Sequence, residues 1–131
     1  MASRRIIDLS IEMQQIANKF MAQCKDEGLD IVIICTHRDD TEQNAAFACG
    51  ASNCKAGQSA HNARNSMIKP AAEAFDVGVI RNGKYIGDGK DSDYLRAGKI
   101  GESLGLVWAG RWTGKIREVA HFQNANWRKP T

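Results

Sequence analysis

The residues of this 131-residue chain best suited to chemistry fall in three short, widely separated stretches. They are Ser59-Ala60-His61-Asn62, Ala74-Phe75-Asp76-Val77-Gly78 and Glu118-Val119-Ala120-His121-Phe122-Gln123. His61, Asp76 and His121 are the donor types of a catalytic zinc site, which takes three protein ligands and leaves a position open for water. Such an ion lowers the pKa of its water to about 7 and polarises a substrate carbonyl. A neighbouring carboxylate must then carry the proton to the leaving amine, and Glu118 is the candidate base. Asp76 is the odd residue in an apolar strand, where a carboxylate is costly unless paired or bound to metal. Strand alternation turns Phe75 and Val77 to the other face and leaves Asp76 free to point into a cleft.

Each residue also has a plainer reading. A lone histidine is more often a surface or hydrogen-bonded residue than a ligand. Asp76 could face solvent from a half-exposed strand, and Glu118 could be an exposed residue ahead of one. Three residues along a straight strand put two side chains on opposite faces. Glu118 can therefore serve a metal held by His121 only if the chain turns or bulges between them.

The ordered set resembles the D-Ala-D-Ala carboxypeptidase and L-alanyl-D-glutamate peptidase family of zinc enzymes. That family includes bacteriophage endolysins, vancomycin-resistance peptidases and the related hedgehog signalling domain. Its pattern is Ser-x-His, then Ala-x-Asp-Val, then an acidic residue three before a final His. The endolysin branch adds Trp-Gly-Gly-x-Trp before the last element and Phe-Gln after the His. This chain has Trp108-Ala109-Gly110-Arg111-Trp112, and Arg38 followed by Glu42-Gln43 after the first strand. The likeness runs from about Ile33 to Gln123. It implies one zinc ion per chain, held by His61, Asp76 and His121, with Glu118 as base. It gives Arg38 the substrate carboxylate or the developing oxyanion, a task suited to a guanidinium. It gives Ser59 a part in orienting a ligand or the substrate, and makes Trp108 and Trp112 walls of the cleft. Plainer roles for Arg38 and the tryptophans are a surface ion pair of Arg38 with Asp39 or Glu42, and core packing for Trp108 and Trp112. Three features depart from the pattern. His61 and Asp76 are farther apart than in many members, Ala109 replaces a glycine, and His37 stands where an aromatic residue is common.

The resemblance implies a peptidase acting on bacterial peptidoglycan stem peptides, of the endolysin type and cutting L-Ala-D-Glu. A D,D-carboxypeptidase and a non-catalytic zinc-containing binding module are the alternatives. A structural zinc on Cys35, Cys49, Cys54 and His61 is a weaker reading. Cys24 and Cys35 lie on apolar-patterned segments and read as core thiols, while Cys49 and Cys54 could also close a small disulfide loop.

The elements that must position these residues read as one α+β domain over 1–131, a small antiparallel sheet with flanking helices, hedgehog/DD-peptidase-like. An amphipathic helix is expected from Asp8 to Lys25, capped by Ser10 and stopped by Gly28. A buried strand follows from Leu29 to Thr36, then a short helix up to Gly50. Residues 49–72 read as a long loop carrying His61, a length common in functional segments. Glu73–Ile80 and Lys84–Gly87 form a hairpin about Asn82-Gly83. A second long helix runs from Asp91 to Leu104, then a short strand and loop from Leu106, then a strand from Val119 to Gln123. The tail over 124–131 is expected to be loosely held. Net charge is +3, and no nucleic-acid motif accompanies it. No apolar run of roughly 18 residues exists to insert stably in a membrane. Asp8 and Glu12 interrupt any apolar leader. The expected protein is a monomer, made in a host cytoplasm without an export signal and acting on the wall after release.

Overall fold

The computed structural model describes residues 2–48, 59–65 and 67–127. The first long helix, α1, spans Ile11–Asp26. Ser10 caps it, its hydroxyl accepting from the Met13 amide at 3.3 Å. Met13, Ala17, Phe20 and Cys24 recur every three or four residues and form its buried stripe. The helix begins later than expected. Ile6–Asp8 form a separate 3-10 turn, and Leu9 then makes a bridge to Ala72. Gly28, at φ +76°, turns the chain into β1, Ile31–Cys35.

A short helix α2 covers Asp40–Ala48. The central strand β2 is Ala74–Arg81, and the turn Asn82-Gly83 returns it as β3, Lys84–Ile86. Both turn residues have positive φ, 54° and 77°, as the tight hairpin geometry requires. Helix α3, Ser92–Ser103, is capped by Asp91. Strand β4, Leu106–Trp108, and strand β5, His121–Asn124, close the sheet.

The sheet is antiparallel, in the order β1-β2-β5-β4, with β3 on the far half of β2. The small α+β architecture with flanking helices is the expected one. Phe75, Val77, Val79 and Phe122 face the helices and are fully buried. Phe20 of α1 meets Phe75 and Phe122 at ring separations of 5.4 and 4.9 Å. Gly98 and Gly101 of α3 provide the close approach, because a Cβ at either would collide with the rings of Trp108 or Phe122. The opposite face of β2 is left for the chemistry.

Other expected bounds differ as well, two of them near the C-terminus. β5 starts at His121 rather than Val119, because the chain turns first, the His121 amide donating to the Glu118 carbonyl at 3.3 Å. The strand also takes in Asn124, which is buried and donates to Glu73 at 2.7 Å, so the tail's first residue is firmly held. Residues 49–58, with Cys49 and Cys54, and residues 128–131 lie outside the described residues.

Candidate metal centre

The register of the sheet brings the three stretches together. Asp76 on β2 pairs with His121 of β5 on one side and with Cys35 of β1 on the other. The register shift between Ile33 and Cys35 turns Cys35 onto the face of Asp76. His61 arrives from the loop, on a 3-10 turn over Ala60–Asn62. Ser59 caps that turn by accepting from the His61 amide at 3.2 Å, and Asn62 accepts from the Ser59 amide at 3.1 Å. Asn62 also donates to the Arg38 carbonyl at 3.0 Å, and the Arg38 amide donates to the His61 carbonyl at 3.0 Å. These bonds lock the turn against the end of β1.

Asp76 Oδ1 lies 3.2 Å from His61 Nε2 and 2.9 Å from His121 Nδ1. Its Oδ2 lies 3.5 Å from the Arg38 guanidinium. Glu118 Oε2 is 3.7 Å from His121 Nδ1. The turn that Glu118 needed is present. Cys35, His61 and Asp76 each offer a donor atom within 4.8 Å of the other two, a group able to hold one zinc ion. His121 stands outside that group, although its Nδ1 reaches the same carboxylate oxygen.

Hydrogen bonds assign the ring nitrogens. His61 Nδ1 faces the Thr36 carbonyl at 2.6 Å, and a carbonyl only accepts, so Nδ1 carries a proton and Nε2 is the nitrogen turned toward Asp76. His121 Nε2 faces Gln123 Oε1 at 2.9 Å, which leaves Nδ1 toward Asp76. Thr36 and Gln123 are functional residues the sequence reading missed. Nothing marks a backbone carbonyl in a sequence, while Gln123 stood within the Phe-Gln motif without a role. Cys35 meets the expectation of a buried thiol and adds a contact to it. It lies 3.8 Å from His61 Nδ1.

The electrostatics are those of a buried cluster of opposite charges. Burial opposes ionisation of His61, but the Asp76 carboxylate outweighs it and holds the imidazole up at about 10. Burial likewise opposes ionisation of Asp76, and His61 and His121 overcome it, holding the carboxyl far below its ordinary value. Burial pushes Glu118 upward. A carboxylate raised in this way suits proton transfer near neutral pH.

The other expected residues divide. Arg38 reaches Asp76 and also donates to Gln43 at 3.3 Å, rather than pairing with Asp39 or Glu42. Trp112 is half-buried with its ring 5.8 Å from His121. Trp108 does not wall the cleft. It is 4% exposed, packs over Gly98 and Gly110, and donates to the Val119 carbonyl at 2.8 Å. Ser59 is buried and bonded to the His61 turn, which makes it a positioning residue. His37 is buried as well, and burial holds its pKa low. Its Nε2 has no hydrogen-bond partner among the described residues.

No family model matches the chain. It is similar to the peptidoglycan L-alanyl-D-glutamate endopeptidase CwlK of Bacillus subtilis (strain 168), 28% identical over 125 residues, covering 88% of this chain and 73% of that one. The crystal structure of the Serratia marcescens L-Ala D-Glu endopeptidase ChiX superimposes with a TM-score of 0.66. That match covers 95% of this chain and 89% of the other at 14% identity. This chain shares the small α+β fold of that structure. With the donor cluster and the sequence likeness, that fold makes this a zinc-dependent enzyme's centre.

Proposed function

We propose that the chain is a zinc peptidase that hydrolyses the L-Ala-D-Glu bond of peptidoglycan stem peptides. The observation that carries the reading is the meeting of His61 Nε2 and His121 Nδ1 on one oxygen of Asp76, with Glu118 beside them. Those three residues are the proposed ligands. Cys35 approaches His61 at the nitrogen committed to Thr36, so it backs the ring rather than completing the open side. A bound zinc ion would activate water and polarise the scissile carbonyl. Glu118, half-buried and raised in pKa, takes the proton and returns it to the departing amine. Arg38, with one amine near Asp76, has the donor fork to hold a substrate carboxylate or steady the oxyanion. Trp112 closes one side of the cleft beside His121.

The biological setting we propose is that of a phage lysin reaching the wall after release. The Trp108–Trp112 and Phe122-Gln123 motifs support that branch. The test is digestion of purified peptidoglycan by wild type and Glu118→Gln, with fragment masses read by mass spectrometry. New N-terminal D-Glu ends with wild type are expected, together with loss of at least about a hundredfold in rate for the variant while zinc stays bound. Release of terminal D-Ala instead would identify a D,D-carboxypeptidase. Full activity of Glu118→Gln would remove that residue from the mechanism.

A further inference from the structure

The face of the sheet that carries Asp76 continues past the metal centre. Along β2 the residues on that face are Asp76, Gly78 and Ile80. Gly78 pairs with Val32 of β1, and Ile80 with Tyr85 of β3. The Tyr85 ring leans back over the bare backbone of Gly78. A Cβ placed there would lie 2.7 Å from Tyr85 Cε1 and 3.4 Å from Ile34 Cγ2. The glycine is thus roofed by an aromatic ring, yet Tyr85 itself stays 57% exposed and Val32 40%. An open aromatic surface flanked by Val32, Ile34 and Ile80 begins one strand dipeptide, about 7 Å, from Asp76. Contiguous exposed apolar surface beside a reactive centre is a mark of recognition.

We propose that Tyr85, seated on Gly78, is the floor of a subsite for the amino-sugar ring that bears the stem peptide. This rests on the peptidoglycan-peptidase reading and deepens it. In peptidoglycan the first stem residue, L-alanine, is joined through its amine to the lactyl arm of muramic acid. From the alanine carbonyl back to the sugar is one residue and one short arm, together about 7 Å when extended. That matches the offset from Asp76 to Gly78. A pyranose offers an apolar C–H face that an exposed phenol ring can cover, while its hydroxyl and acetamido groups remain in water. The terminal D,D bond lies three residues further from the sugar, about 10 Å more. A platform this near the metal therefore suits the L-Ala-D-Glu bond.

The test compares two substrates, a disaccharide-bearing muropeptide and the same peptide without sugar, on wild type, Tyr85→Ala, Tyr85→Phe and Gly78→Ala. For Tyr85→Ala the ratio of kcat/KM between the two substrates should fall roughly tenfold, through KM. Tyr85→Phe should keep the wild-type ratio. Gly78→Ala, whose methyl displaces the ring, should lower it as Tyr85→Ala does. Equal losses on both substrates, or an unchanged ratio, would overturn the subsite. If wild type cuts neither substrate, the peptidase reading fails separately. Calorimetric binding of the two peptides then decides the subsite: a sugar preference lost in Tyr85→Ala supports it, and no preference overturns it.

Discussion

Asp76 is where the contacts of the site converge: one oxygen meets both imidazoles and the other meets Arg38. Each imidazole is aimed by a partner on its far nitrogen, the Thr36 carbonyl for His61 and Gln123 for His121. Replacing Gln123 with Leu should weaken zinc affinity by roughly 10–100-fold, measured by competition with a chelating dye. As the proposed base, Glu118 would set the acid limit of activity. It must be ionised to act as base, and burial raises its pKa above the ordinary 4.5. The acidic limb of kcat/KM against pH should therefore lie above that value and disappear from the residual profile of Glu118→Gln. His61, Asp76, His121 and Glu118 were legible as candidates because their types and motif order stand out in the sequence. The orienting partners were not, since a backbone carbonyl has no sequence signature and a glutamine has many uses.

At the scale of elements, the site depends on two turns and one helix contact. The turn Ala60–Asn62 holds His61 through Ser59, and Ser59→Ala should cost about 1 kcal/mol in urea unfolding. It should also lower zinc affinity, because the freed turn no longer fixes the imidazole. The turn between Glu118 and His121 brings the proposed base round to the side of the His121 imidazole. Sequence alternation alone opposed that placement; only the break in the strand resolved it. The helix contact is subtler. Gly98 admits the Trp108 ring, whose indole holds the Val119 carbonyl next to Glu118. Gly98→Ala should destabilise by about 1–3 kcal/mol in thermal unfolding through overpacking. Long periodic or strongly punctuated elements were readable: α1, α3 and the Asn82-Gly83 hairpin. Trp108 was misread because an aromatic motif does not tell which face of a three-residue strand it occupies.

For the whole molecule, metal and pH are linked. Without metal, the pair of His61 with Asp76 stabilises the fold. His61 is raised from 6.5 to about 10, so this contribution is complete below about pH 6.5 and fades as pH rises toward 10. Zinc needs the neutral imidazole, and its binding strengthens over the same interval. The difference in Tm between zinc-loaded and chelator-treated protein should therefore widen from about pH 6 to about pH 9. A constant difference would count against His61 as a ligand. The α+β class was legible from element order, while the strand order and the shifted β1 register were not, because both are set by long-range pairing.

That long-range pairing has a kinetic consequence. Asp76 sits on an interior strand, and its cross-strand neighbours are far from it in sequence in both directions: Cys35 on one side and His121 on the other. Contacts this distant in sequence close slowly, after local helices and hairpins have formed. The centre is therefore among the last parts of the molecule to be completed. In refolding, helical signal should return before zinc is captured, and the capture rate should follow the docking of β5. The ion would then act as a latch on a finished chain rather than as a seed for folding.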